Sequence, residues 1–304
     1  MTAAVPHVAF DTPGPCPRMP MPTIPVTNLS DPRLAPYANM RDAELAQRAD
    51  PLDPRAHGGL FIAEGELVVR RLVRSSFRTV SVLTTPSRLA SLGDALDGLP
   101  PDVPIFLATQ PLMDQIVGFN MHRGVLAIGS RGPGRTVAEL LAASGPLVLL
   151  EDVNNNDNLG GIFRNAAALG GPRCSIILST NCADPFYRKS LRVSMGSVLG
   201  LPFARSEDWP GDLQLIRQAG FKLWGLTPRV GAEDLSILVT LPECAPARTA
   251  VLLGAEGPGL SESTLAACDK WVRIPMTPGP EVDSLNVGVA AGIALYALAT
   301  APRR

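Results

Sequence analysis

At 304 residues the chain can form two domains or one large one, and either buries a substantial core. Apolar residues at 46% and charged residues at 18% give an ordinary soluble globular balance, and a formal net charge of −1 excludes a uniformly basic protein. Nucleic-acid binding stays open, because its electrostatic footprint is a local patch rather than a total. The five cysteines (Cys16, Cys174, Cys182, Cys244, Cys268) show no CxxC pair and no short Cys/His spacing, which argues against a disulfide framework and against a structural zinc site. A reducing, cytoplasmic setting is the simplest expectation. The N-terminus has no basic segment followed by an apolar one and does not read as a secretory signal.

Residues 1–45 are rich in proline and small polar residues, with few periodic apolar positions, and read as a loosely attached, flexible arm. From Ala46 the pattern becomes globular. GLFIAEGELVVRRLVRS predicts a short strand and then an amphipathic helix, TVSVLTT a strand and SRLASLGDAL a helix. VPIFLA predicts a third strand, QPLMDQIVGF a helix, and RGVLAIG a strand closing a compact α/β domain over 46–130. SRGPGR opens a linker over 131–145. In 146–304, LVLLEDV, CSIILST, KLWGLTP, AVLLGA and KWVRIPM read as strands alternating with helices, which implies a parallel sheet covered on both faces. LNVGVAAGIALYALATA (Leu285–Ala301) has no charge over seventeen residues; its alanines and glycines predict a buried, closely packed helix rather than a membrane span.

Ligands of such sheets bind outside the carboxyl ends of the strands, so the loops following strands are where chemistry is sought. Three stand out: Asn158-Leu-Gly160-Gly161 leading to Arg164; Gly254-Ala-Glu256-Gly257-Pro-Gly259; and Ile274-Pro-Met276 followed by Ser284-Leu285-Asn286. Singly, each has a plain reading. Asn158 and Asn286 suit helix caps, Arg164 a surface ion pair, and the glycines a turn.

As an ordered set the three loops resemble the signature motifs of the SpoU/TrmH family, the 2′-O-ribose RNA methyltransferase branch of the SPOUT superfamily. RVSMGSVLGLPF (Arg192–Phe203) resembles the segment this family carries between its first and second motifs, and the likeness covers Pro146 to Ala299. Upstream, FIAEG (Phe61–Gly65) and HRGVLA (His122–Ala127) resemble the small ribosomal-protein-like RNA-binding domain often fused to it. The resemblance implies an α/β fold whose C-terminal SPOUT domain has a parallel sheet and a deep trefoil knot. It also implies an obligate homodimer with the active site at or near the subunit interface. Gly288, Ala290, Ala291 and Gly292 suit a helix drawn through a backbone loop.

The implied cofactor is S-adenosylmethionine, held by Leu253, Gly254, Gly257, Ile274, Met276 and Leu285, with Gly257 and Gly259 allowing close approach. The implied catalytic set is Arg164, Asn158, Glu256, Ser284 and Asn286. Arg164 acts on the ribose 2′-hydroxyl either as a base or, since guanidinium is hard to deprotonate, by stabilising developing negative charge. Candidate RNA-binding residues are Arg70, Arg71 and Arg74 on the first domain and Arg188, Lys189 and Arg192 on the second, against the plain alternative of solvated helix faces. Residues 55–135 carry nine basic and six acidic side chains, so the first domain is mildly positive. Aromatic content of 5% without a stripe favours recognition by shape and backbone. The expected activity is 2′-O-ribose methylation of structured RNA. Rivals are a tRNA rather than an rRNA substrate, an rRNA enzyme conferring antibiotic resistance, and a non-catalytic RNA-binding protein on the same scaffold; the expected setting involves no membrane.

Overall fold

The computed structural model describes residues 23–38, 41–49, 58–142, 145–241, 248–277 and 284–301. In the first half, strands β1 (Thr23–Pro25), β2 (Leu60–Glu64), β3 (Thr79–Thr84), β4 (Ile105–Leu107) and β5 (Val125–Ser130) form a sheet ordered β1-β4-β3-β5-β2. β1, β4 and β3 run parallel, and β5 lies antiparallel to both β3 and β2. Helices α1 (Asp42–Gln47), α2 (Glu66–Arg74), α3 (Pro86–Leu96) and α4 (Gln110–Val117) cover it. Because strand side chains alternate, Phe61 and Ala63 of β2 pack with α2 and α3, while Leu60 and Ile62 pack with α4 and the N-terminal segment. A strand buried on both faces carries an unbroken apolar run, as LFIA does.

The arm expected over residues 1–45 is corrected in part. Residues 1–22 lie outside the described residues. Thr23–Pro25 pairs with Ile105–Leu107, and Val26, Leu34, Tyr37 and Leu45 are buried, with the Tyr37 hydroxyl 2.7 Å from Ser81 Oγ. Prolines at 25 and 32 break this stretch into a three-residue edge strand and a short 3₁₀ turn, too short to show a period. Part of the expected 131–145 linker is also helical: α5 (Val137–Leu141) starts at a Thr136/Glu139 capping box and buries Val137 and Leu140.

The second half is built on β6 (Leu147–Leu150), β7 (Ser175–Leu178), β8 (Phe203–Arg205), β9 (Lys222–Leu226), β10 (Glu233–Asp234), β11 (Thr249–Leu253) and β12 (Lys270–Arg273). All pairings are parallel, in the order β10-β12-β9-β11-β6-β7-β8. The helices are α6 (Asn156–Asn165), α7 (Arg188–Val193), α8 (Trp209–Gln218), α9 (Leu235–Leu238), α10 (Glu262–Ala267) and α11 (Val287–Thr300). α6 and α11 bury Leu159, Phe163, Ala291 and Leu295 on one face of this sheet, and α5, α8 and α10 cover the other. β8, β10 and α9 are each four residues or shorter and escaped the sequence pattern.

The two halves share one core. Phe186 stacks on Phe61 with centroids 4.7 Å apart and meets Phe77 edge-on. Arg131 lies over the Phe186 ring and reaches Asp184 Oδ2 at 2.6 Å. Arg131→Ala removes both the stacking and a half-buried ion pair, so the urea midpoint is expected to fall by the equivalent of about 2 kcal/mol. An unchanged midpoint would show that the junction does not depend on this side chain.

Candidate active site

All three motif loops leave the carboxyl ends of strands in this sheet: the first follows β6 and the second its neighbour β11, while the third follows β12, one strand beyond β11 across β9. In the first loop the helix cap is Asn155, whose Oδ1 accepts from the N–H groups of Asp157 and Asn158. That releases Asn158, one turn into α6, from the capping role its composition allowed. Its side chain is buried. Asp152, just after β6, holds a left-handed φ of 56° and exchanges hydrogen bonds with the Ser179 hydroxyl.

The two glycines of α6 have different jobs. A Cβ on Gly160 would lie 2.8 Å from Ser190 O and from Val193 Cβ, so this glycine lets α7 approach; Gly161 faces open space. Gly160→Ala is therefore expected to destabilise by about 1–3 kcal/mol, and Gly161→Ala to stabilise by up to about 1 kcal/mol, in matched thermal denaturation. Equal effects of the two changes would refute the close packing of α6 on α7.

The second loop folds back on itself. A Cβ on Gly254 would sit 2.1 Å from the Gly259 carbonyl carbon, whereas Gly257 and Gly259, with φ of +91° and +72°, present open backbone. Its base is braced by Glu151, a buried carboxylate at the end of β6 that sequence reading passed over. Glu151 accepts from Ser261 N (2.9 Å), Ser261 Oγ (2.7 Å) and Thr264 Oγ1 (2.7 Å).

The third loop brings the set together through Asn286. Its Oδ1 accepts from Gly288 N and Val289 N and so caps α11. Its Nδ2 donates at 2.8 Å both to Asn158 Oδ1 and to Glu256 Oε1. One side chain therefore joins all three motifs. A second tie, missed in the sequence, runs from Asn165 Nδ2 to Gly288 O at 2.8 Å and clamps α6 to the start of α11.

The second and third loops, with the loop after β9, line a cleft of about 850 Å³, within the size range of small-molecule sites. Leu253, Gly254, Gly257, Ile274, Met276 and Leu285, the expected cofactor residues, all line it. So do Glu256, Ser284 and Asn286, while Asn158 joins through Asn286. An apolar floor with glycine backbone exposed on one side suits a nucleoside that must touch main chain closely. Arg164 is the exception. It is exposed on α6, does not line the cleft, and among the described residues has no hydrogen-bond or ion-pair partner.

The arginines expected to bind RNA divide. Arg70 bonds Glu66, Asp94 and Ser91 O; Arg71 reaches Ser197 Oγ at 2.8 Å; Arg188 lies between Asp42 and Glu64. These three tie elements of the fold together, two of them across the halves; apart from Glu66, one helical turn from Arg70, their partners are 21 to 146 residues away, which the sequence could not reveal. Lys189 pairs with Asp157 at 2.6 Å while half exposed, and Arg74 and Arg192 are exposed. The helix expected to be buried and closely packed is so on one face only: α11 buries Ala291, Ala294 and Leu295 but leaves Val289, Ile293 and Tyr296 exposed as a stripe, with Tyr296 61% accessible. An Ala/Gly-rich helix shows no apolar period, so sequence alone could not separate its faces. Among the described residues no helix is long and apolar enough to cross a membrane.

A parallel sheet with glycine and asparagine loops at the carboxyl ends of its strands, and a glycine-backed cleft beside two of them, defines an α/β domain built to bind a small molecule. The SpoU rRNA methylase family matches residues 145–296, which carry all three loops. An uncharacterised tRNA/rRNA methyltransferase of Mycobacterium tuberculosis, Rv0881, is 41% identical over 275 residues, covering 89% of this chain and 90% of that one. In fold, the chain is similar to an AdoMet-bound rRNA methyltransferase from Sinorhizobium meliloti (TM-score 0.70, 22% identity, 91% and 97% of the two chains). It is also similar to a structure described as an RNA 2′-O ribose methyltransferase (TM-score 0.65, 20% identity, 90% and 98%). The chain belongs to the SpoU rRNA methylase family and is an RNA methyltransferase.

Proposed function

We propose that the protein methylates a ribose 2′-hydroxyl in structured RNA, with rRNA favoured over tRNA, using S-adenosylmethionine bound in the cleft. The observation that carries this reading is the Asn286 junction, which holds Asn158, Glu256 and the start of α11 in one geometry beside the cleft. A scaffold that had lost catalysis would need the helix cap that Asn286 provides but not its amide bridge from buried Asn158 to exposed Glu256.

The cofactor supplies an electrophilic methyl on a sulfonium. Backbone at Leu253, Gly254, Ile274, Met276 and Leu285 holds it, and the open faces of Gly257 and Gly259 let the second loop close on it. Asn158, Ser284 and Asn286 fix the ribose side, while Glu256 orients the loop. Arg164 positions the 2′-oxygen and a neighbouring phosphate and stabilises the charge that grows as the oxygen attacks. The proton leaves to a phosphate oxygen or water, since guanidinium does not accept it at neutral pH.

The assembly we propose is a homodimer in which α11 packs against its copy. Its support is the unpartnered stripe Val289, Ile293 and Tyr296, and the position of Arg164 away from its own cleft. The same reading takes the C-terminal chain through a backbone loop as a trefoil knot, and the close approach of Gly292 in α11 to Asn165, where an added Cβ would lie 3.1 Å from Nδ2, is the small-residue packing such a helix needs. Exposed Arg74, Lys189 and Arg192 then face RNA, and RNA affinity falls steeply with salt.

The test is tritium transfer from labelled S-adenosylmethionine into total rRNA and total tRNA, followed by nuclease mapping of the labelled nucleotide. Label in 2′-O-methylated rRNA is expected. Label in tRNA or on a base would overturn the substrate or the position, and cofactor binding with no transfer to either pool would favour the non-catalytic scaffold.

A further inference from the structure

The cleft holds one cation that no motif accounts for. Among its described lining residues only Arg229 and Glu256 carry charge, and Glu256 is already engaged by Asn286. Arg229 follows β9 in the loop Thr227–Ala232, whose tip, Val230, is almost fully exposed. Its backbone is fixed: Thr227 N donates to Val272 O, Arg229 N donates to Thr227 Oγ1, and Ala232 N donates to Arg229 O. Its side chain is not held in the same way. The guanidinium Nη2 meets Glu262 Oε1 at 2.6 Å, but Arg229 is 40% and Glu262 78% exposed. The pair raises the Arg229 pKa and lowers that of Glu262, as any close pair does. In solvent such pairs contribute little, so this one is easily exchanged.

The occupant of the cleft has one anionic group. S-adenosylmethionine carries a sulfonium, an ammonium and a carboxylate, and a carboxylate brought beside apolar walls needs a donor or a cation. A guanidinium offers the planar pair of N–H groups that fits a carboxylate. We propose that Arg229 is a specificity residue for the amino-acid end of the cofactor, leaving Glu262 and taking the carboxylate when the cleft fills. The proposal rests on the cleft being the cofactor site. It gives the loop after β9 a part in binding alongside the second and third motif loops, and it makes Glu262 a competitor that keeps Arg229 at the rim of the cleft.

The experiment is calorimetric binding of S-adenosylmethionine and its decarboxylated analogue to the full-length wild-type protein, Arg229→Ala and Glu262→Ala. The analogue keeps the nucleoside, sulfonium and ammonium and lacks only the carboxylate. The wild-type protein is expected to prefer S-adenosylmethionine by at least about tenfold, as for a charged hydrogen bond. In Arg229→Ala that ratio collapses toward one through loss of S-adenosylmethionine affinity, while affinity for the analogue stays the same. In Glu262→Ala the ratio is kept or rises. The ratio is internal to each variant, so a general loosening of the loop, which weakens both ligands alike, cannot mimic the result. An unchanged ratio in Arg229→Ala overturns the proposal, and so does an unchanged ratio with weakened RNA binding, which would assign Arg229 to RNA phosphate. If the wild-type protein bound neither ligand, the cofactor reading of the cleft would fall first and this proposal with it.

Discussion

Arg164→Ala is expected to cut methyl transfer by about 10²–10³-fold while leaving cofactor affinity and folding unchanged, the loss typical of removing one preorganised donor from a developing negative charge. The structure separates these effects in advance. Arg164 is exposed, has no partner among the described residues and does not line the cleft, so its removal breaks no contact that supports the fold or the cofactor site. Surface changes of this kind alter stability by about 0.5 kcal/mol or less. Arg164→Lys is expected to fail nearly as badly, because a point charge on a flexible stem cannot bridge an oxygen and a phosphate as a planar fork does.

The same residue tests the proposed dimer. If each active site joins Arg164 of one protomer to Asn286 of the other, co-expressed mixed dimers of Arg164→Ala with Asn286→Ala contain one intact site and regain activity. If both residues serve one site within a protomer, neither half of the mixed dimer is intact and none returns. Single-turnover methyl transfer with doubly tagged dimers distinguishes the two. Retention of most activity by Arg164→Ala would remove the residue from catalysis altogether.

How much of this was legible before the structure depends on the range of the interaction. Strands such as LFIA, LVLL and AVLL are continuous apolar runs and TVSVLT is rich in β-branched residues, while the loops after β6, β11 and β12 stand out by glycine and asparagine content, so the sheets and the three loops could be read directly. Local caps were partly legible. Asn286 shows a capping residue just before an apolar helix, but in NNNDN the composition allowed any of four asparagines, and only the backbone selects Asn155. Long-range pairing was not legible at all. Nothing local marks Glu151 as the brace of a loop more than a hundred residues away, or Arg188 as a partner of Asp42 and Glu64. A charge in sequence says what a side chain can bind, and only the fold says what already occupies it. The N-terminal segment was underread for another reason. Its buried residues, Val26, Leu34, Tyr37 and Leu45, are spread through prolines, and periodicity detects only elements long enough to repeat.

Asn286 offers the other large effect, because its two ends do different work. The Oδ1 end caps α11 through Gly288 N and Val289 N, and the Nδ2 end joins Asn158 to Glu256. Asn286→Ala removes both, so it is expected to lose about 1 kcal/mol of stability from the cap as well as activity. Asn286→Asp separates them. A carboxylate keeps the acceptor for the helix N–H groups and adds a favourable charge at the helix start, so stability is expected to stay within about 1 kcal/mol of the wild-type protein. It has no hydrogen to donate, and it places a second negative charge against Glu256, which would push the second loop away from Asn158. Methyl transfer in Asn286→Asp is therefore expected to fall by about 10²-fold or more, close to the loss in Asn286→Ala, a cost in keeping with misplaced catalytic groups. If Asn286→Asp kept its activity while Asn286→Ala lost it, the cap alone would explain the residue. The Asn158–Asn286–Glu256 bridge would then be a consequence of the fold rather than the device that sets the site.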